Sequence, residues 1–330
     1  MSLLLLTLPA FAGDTTIWYG GAVSTGASLD RDPGLGVLPF QVEADARLET
    51  GPIYARVDLN VFPMMTTGSD VVGWEDVDGV RVLGLESEPG VADPTLLPEW
   101  AMVQVGTEQY KVRVGVTNPN FGLEDWDTWN NYLPTFSTHF NAATPGRILG
   151  AEPAMQFDDG TEIFAFGGYD LDFGEVAAGA GIWTEQDSWS TWSGVASYPA
   201  LGMHEVIVAA EVYPFEVLWI SVDGVVGVMG REPFAGGQVV FNIAPEQVVT
   251  PVVRLEGLLD PTGALGGYEG GVPDATASVG LRAHPTEFSQ IAVEGKMTTF
   301  GPGFTEGGLV VRLDFFTPAP GTYTAVMEEE

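Results

Sequence analysis

Along residues 40–61, FQVEADARLETGPIYARVDLNV, apolar and polar side chains alternate in two runs separated by a Thr50-Gly51-Pro52 turn. Phe40, Val42, Ala44, Ala46 and Leu48 share one face of the first run, with Gln41, Glu43, Asp45, Arg47 and Glu49 on the other. In the second run Ile53, Ala55, Val57, Leu59 and Val61 oppose Tyr54, Arg56, Asp58 and Asn60. Successive side chains of an extended chain point to opposite faces, so this pattern predicts a hairpin with one apolar and one charged face. Each arm is about ten residues long, more than the five to six usual in soluble sheets and enough for a tilted bilayer crossing.

The pattern recurs at 101–116, 154–169, 181–195, 204–224, 239–259 and 275–297, with tight turns near residues 51, 109, 159, 187, 214, 246 and 286. Longer and less regular connections fall at 30–39, 63–98, 118–147, 172–174, 199–203, 227–236, 260–274 and 300–307. With a first strand at 15–29 and a last at 307–316, the chain reads as about sixteen strands, short turns at one end and long loops at the other. That is an all-β, transmembrane antiparallel β-barrel with both chain ends on the turn side. Tyr54, Tyr110, Phe157, Phe164, Tyr213, Phe215 and Phe288 lie beside the turns, as an interfacial aromatic girdle would. A soluble sandwich or propeller would also alternate, but would need neither such long strands nor the alternation of short and long connections. The apolar face is therefore expected to meet membrane lipid and the charged face water.

Composition agrees with this picture. The 330 residues include 43 Gly and 23 Pro and no Cys, which favours turns and excludes disulfides and thiolate metal sites. Twelve Lys+Arg against 45 Asp+Glu give a formal net charge of −33, which excludes nucleic acid as a partner and suits a cation-rich aqueous interior. Residues 1–12 read as the end of a signal peptide, with Leu3–Leu8 as its apolar core and Ala10-Phe11-Ala12 as a cleavage site; the missing basic region points to a start further upstream. The barrel is then expected over 13–316, followed by a disordered acidic tail at 317–330.

Across 13–316 the chain resembles the general-diffusion porins of Gram-negative outer membranes, and NPNFGLED at 118–125 is similar to an N/T-P-F-G-L-E element that follows a strand in some of them. GLVVRLDFF at 308–316 has the alternation and aromatic finish of an outer-membrane barrel, although the residues after it depart from that pattern. The resemblance implies passive diffusion of ions and small hydrophilic solutes, an outer-membrane location and a homotrimer. It also implies that the third long loop, 118–147, folds into the barrel to form a constriction.

The scarce cations sharpen this expectation. Arg47, Arg56, Lys111, Arg113, Arg254, Arg282, Lys296 and Arg312 all fall at inward positions of the predicted strands, and closure of the barrel gathers them into one arc of wall. Strands between 148 and 245 instead supply Glu162, Glu175, Glu205, Glu211 and Asp223. The resemblance sets the loop acids Glu124, Asp125 and Asp127 opposite part of the basic arc; net acidity favours cations as the permeant ions. Pairing of the arginines with neighbours such as Asp45, Asp58 or Asp314 in ion-pair ladders is the plainer alternative.

Other activities find less support. The three histidines, His139, His204 and His284, lie in no catalytic constellation, and no nucleophile elbow or phosphate loop accompanies them, so the chain does not read as an enzyme. EDVDG at 75–79 lacks the remaining ligands of a calcium loop, and a solvated acidic loop is expected there; no cofactor or metal is expected. Trp126, Trp129 and Tyr132 in the third loop, set beside carboxylates, leave open a sugar-type selective channel, and a pore-less structural barrel is the remaining alternative.

Overall fold

The computed structural model describes residues 15–30, 35–62, 70–77, 80–86, 95–107, 109–119, 133, 145–171, 173–245, 248–260, 274–286, 288–300 and 304–317. In chain order the strands are β1 (Thr15–Asp30), β2 (Leu35–Thr50), β3 (Ile53–Phe62), β4 (Asp70–Val77), β5 (Val80–Glu86) and β6 (Thr95–Gly106). Then come β7 (Tyr110–Thr117), β8 (Ile148–Gln156), β9 (Thr161–Asp170), β10 (Glu175–Gln186), β11 (Trp189–Tyr198) and β12 (Met203–Phe215). The last are β13 (Leu218–Met229), β14 (Glu232–Ile243), β15 (Val249–Leu259), β16 (Asp274–Thr286), β17 (Ser289–Phe300) and β18 (Phe304–Thr317). Sixteen of them form one closed antiparallel barrel, while β4 and β5 pair only with each other. Closure is made by β1 against β18, in register from Gly21↔Thr317 to Asp30↔Gly308. No barrel edge is left unpaired, the condition for placing a sheet in lipid.

The seven tight turns fall where the alternation breaks. Gly51, at φ 54°, makes the β2–β3 turn, and Gly160, at φ 80°, closes the β8–β9 turn; a Cβ on Gly160 would lie 2.7 Å from the Glu185 carbonyl oxygen. Both positions need the left-handed backbone that glycine adopts without penalty. Two turns sit slightly beyond the expected tips. Between β12 and β13 pairing continues past a register shift to Phe215↔Leu218, so the turn is Glu216-Val217. Between β16 and β17 it likewise continues past a shift to Thr286↔Ser289. The connection expected to be a solvated loop at 63–98 instead contains the β4–β5 hairpin, because Val71, Val77, Val80 and Val82 give its arms extended propensity that the acidic composition obscured.

The outer face is a band of exposed aliphatic residues that includes Val57, Val103, Val112, Val114, Val195, Val206, Val226, Leu255 and Leu281. Around its turn end stand the exposed rings of Tyr19, Tyr110, Phe157, Trp189, Phe215, Phe288 and Phe315. Four of the seven expected girdle residues are thus in place, and Tyr54, Phe164 and Tyr213 are not. Tyr54 and Tyr213 share the inward parity of Arg56 and Glu211, and Phe164 is buried at the inward parity of Glu162. A two-residue period assigns faces only once the register is known, and proximity to a turn does not supply it.

Inside, the loop end of β8 to β14 carries an apolar cluster of Ile148, Phe164, Phe166, Tyr198, Met203, Ile207, Val225 and Phe234. Its large rings are accommodated by cross-strand glycines. Phe166 pairs with Gly179, Phe164 with Gly181 and Phe234 with Gly227, and a Cβ on each glycine would stand 2.4–2.6 Å from the facing ring. The rings therefore lie against the wall instead of across the barrel. Gly181→Ala should destabilise the folded barrel by about 1–3 kcal/mol, since the Phe164 ring must move. Phe164→Leu should recover part of that loss, read as a coupling in a double-mutant cycle of urea midpoints.

Candidate functional site: the charged inner wall

Alternation places all eight predicted cations on the inner face, on β2, β3, β7, β15, β16, β17 and β18. Through the β1–β18 closure these strands border one continuous side of the barrel. Among the described residues six of these cations are seen in ion pairs, four with carboxylates of the same side and two, Lys111 and Arg113, with Glu162 of β9 and Glu152 of β8. Arg47 lies 2.5 Å from Asp45, and Arg56 bridges Asp58 at 2.7 Å and Asp45 at 3.4 Å. The guanidinium of Arg56 also sits 4.9 Å from the ring centre of Trp100. Lys111 pairs with Glu162, and Arg113 pairs with Glu152 and reaches Glu162 at 3.5 Å. Arg254 meets Glu294 at 3.0 Å and Glu256 at 3.9 Å. Arg312 donates to Asp314 at 3.0 Å, and Asp314 also accepts from Ser24 at 2.6 Å and Gln290 at 3.1 Å. Arg282 and Lys296 project inward from β16 and β17.

The ladder arises from spacing. Residues two apart on a strand share a face, as in 45/47, 56/58 and 312/314, and Arg113 stands directly across from Glu152 in register. Its effect is to cancel most of the positive field expected of the arc. Strands β8 to β14 contain no lysine or arginine, yet Glu175, Glu205, Glu211 and Asp223 point inward from them. Glu162, expected among these acids, belongs electrically to the basic side through Lys111. Glu211 accepts hydrogen bonds from Tyr213 at 2.6 Å and Ser221 at 2.7 Å. Glu205 is 3% exposed, and neither of its carboxylate oxygens has a hydrogen-bond partner.

The sequence reading missed the aromatics of this acidic wall, having looked for them in the third loop. Trp183 and Trp192 stack across β10 and β11, and Tyr213 meets Trp219 edge-on at 4.9 Å across β12 and β13. Their inward parity was available from the alternation of GIWTEQ and WSTWSG, had the register of that hairpin been fixed. The third-loop residues Glu124, Asp125, Trp126, Asp127, Trp129 and Tyr132 lie outside the described residues. Leu133 of the same loop is described, and it is buried against the inward side chains Val240 and Val252. A Cβ on Gly280 of β16 would come within 2.4 Å of its side chain, so Leu133 itself lies inside the barrel against the β14–β16 wall.

His204 of β12 shares a hydrogen bond of 2.9 Å with Ser197 of β11 on the outer face. Among the described residues no group of three or more His, Cys, Asp or Glu side chains could hold a metal ion.

A closed sixteen-stranded antiparallel barrel with an apolar outer band and a charged interior is the architecture of porins of the bacterial outer membrane. No protein-family model matches the chain, and no curated protein is similar to it in sequence. Solved structures are similar in fold. A loop L8 deletion mutant of OmpT, an outer membrane protein of Vibrio cholerae, has a TM-score of 0.64 at 9% identity, over 92% of this chain and 99% of that one. An anion-selective porin from Comamonas acidovorans gives 0.62 at 9% identity, over 92% and 100%. The outer membrane channel DcaP of Acinetobacter baumannii gives 0.57 at 13%, over 94% and 99%.

The ion pairs make a direct energetic prediction. Arg254 and Glu294 are both buried, so Glu294→Gln leaves a buried guanidinium short of its nearer carboxylate and should cost about 3 kcal/mol of stability. The exposed rim charge Glu232 should tolerate Glu232→Gln within about 0.5 kcal/mol, and denaturant titration of the two variants compares them.

Proposed function

We propose that the chain is a general-diffusion channel of the outer membrane that passes ions and small hydrophilic solutes and prefers cations. The observation that carries this reading is the asymmetry of the inner wall. The basic arc is largely neutralised by ion pairs, two of them to Glu152 of β8 and Glu162 of β9, whereas β10 to β14 present Glu175, Glu205, Glu211 and Asp223 with no lysine or arginine on those strands. A residual negative field in a water-filled passage concentrates cations and repels anions. The fold does not by itself fix the sign, since one similar structure is an anion-selective porin; the wall charges are what supports cations here.

The third loop takes part in this reading. The position of Leu133 inside the barrel supports a loop that narrows the passage, with Glu124, Asp125 and Asp127 as its acidic contribution facing the wall. One similar structure, OmpT of Vibrio cholerae, is a trimer form, which supports a homotrimer here. An enzymatic role is not part of the proposal, because the Ser197–His204 pair has no described carboxylate bonded to the imidazole.

Single-channel recording of the refolded chain in a planar bilayer tests the proposal, with stepwise conductance as the expected result. Folded protein without steps would instead support a pore-less structural barrel. Glu175→Lys and Glu211→Lys should each lower the cation-to-anion permeability ratio, and Arg47→Glu should raise it. Ratios that do not move in any of the three would remove the wall charges from the account. Saturable block by an oligosaccharide would favour a sugar-selective channel.

A further inference from the structure

The chain contains two lysines, Lys111 and Lys296. Lys111 is held against Glu162 of β9. Lys296 lies in the loop half of β17, shares the inward parity of Gln290 and Glu294, and is partly exposed. Among the described residues its ammonium makes no ion pair and no hydrogen bond.

That isolation follows from the commitments of its neighbours. Elsewhere on the basic arc a cation takes the acid two residues away on its own strand, as Arg47 takes Asp45, Arg56 takes Asp58 and Arg312 takes Asp314. The acid two residues from Lys296 is Glu294, which is buried and held instead by Arg254 of β15 at 3.0 Å. Two residues the other way, Thr298 is engaged with Thr276 at 2.9 Å. Across the strands Lys296 stands opposite Gly308, which has no side chain, and Ser278, whose buried hydroxyl has no hydrogen-bond partner. The ammonium has therefore not folded back onto its nearest polar neighbour. A paired cation and its carboxylate nearly cancel at a distance, whereas an unpaired ammonium acts on a passing ion with its whole charge, reduced only by water and salt.

We propose that Lys296 is the anion-contacting residue of the inner wall, and that it sets the share of the current carried by chloride and other small anions. As a determinant of current it rests on the channel reading; the freedom of its ammonium does not. The experiment therefore reads the two apart. The full chain, refolded in detergent, is treated with N-acetoxysuccinimide, an uncharged acetylating reagent, and both lysines are followed by peptide mass spectrometry. Lys296 should be acetylated about tenfold faster than Lys111, which must first leave its carboxylate. In planar bilayers under a KCl gradient, Lys296→Gln should raise the potassium-to-chloride permeability ratio about twofold, and Lys296→Arg should keep the ratio of the unmodified chain. Arg231→Gln removes the same charge at the exposed loop rim and should move the ratio less. Acetylation of Lys111 as fast as Lys296, or an unchanged ratio in a conducting Lys296→Gln barrel, would overturn the proposal. A folded barrel that is acetylated first at Lys296 but passes no current would remove the channel reading and the selectivity role with it. Current whose ratio ignores Lys296 would keep the channel and remove the role of this residue alone.

Discussion

The structure depends on one constraint: in hydrocarbon, every backbone N–H and C=O must find a partner within the protein. An antiparallel sheet meets that demand only by closing, and here closure is the pairing of β1 with β18. The rest follows from it. A closed sheet has one face toward lipid and one toward its own interior, so a two-residue alternation of sequence becomes a separation of environments. Valine and leucine collect outside, and carboxylates, guanidinium groups and amides collect inside. The sixteen barrel strands also determine which inward residues become neighbours, since each sits beside the residues opposite it in register and those two along its own strand.

Once inside, charges have to be managed by one another. Burial of an isolated ion costs several kcal/mol, and pairing offsets that cost only when partners are close and well oriented. The basic side solves this with same-strand pairs two residues apart and with cross-strand pairs such as Arg113–Glu152. The acidic side uses neutral donors, as where Tyr213 and Ser221 serve Glu211 and Gln238 serves Asp223. The two sides therefore differ in the kind of partner their carboxylates find: guanidinium and ammonium groups on one, hydroxyls and an amide on the other. Large rings are handled by a separate device: Phe164, Phe166 and Phe234 lie over Gly181, Gly179 and Gly227, which keeps their bulk against the wall.

Much of the fold was legible in the residues, because strand number, turn positions and the inward parity of the eight cations all derive from local alternation and turn chemistry. The hairpin at 40–61 has the pairing its pattern implies, from Val42↔Val61 to Thr50↔Ile53. What was not legible depends on register between strands. Tyr54, Phe164 and Tyr213 were assigned outward by their nearness to turns, and they point inward. The pairing of Lys111 with Glu162, from β7 to β9, crosses an intervening strand and has no signature in either segment. The Trp183–Trp192 stack requires a register that the sequence of β10 and β11 left open. The β4–β5 hairpin was hidden by acidic composition, which signals solvation more strongly than it signals strand.

The most direct test of the account is the sign of the reversal potential of the unmodified, refolded chain under a KCl gradient. A wall whose basic arc is largely neutralised by ion pairs and whose other side stays acidic predicts potassium over chloride. A reversal potential of the chloride sign would mean that the cations of the basic arc still govern the passage, and it would contradict the account.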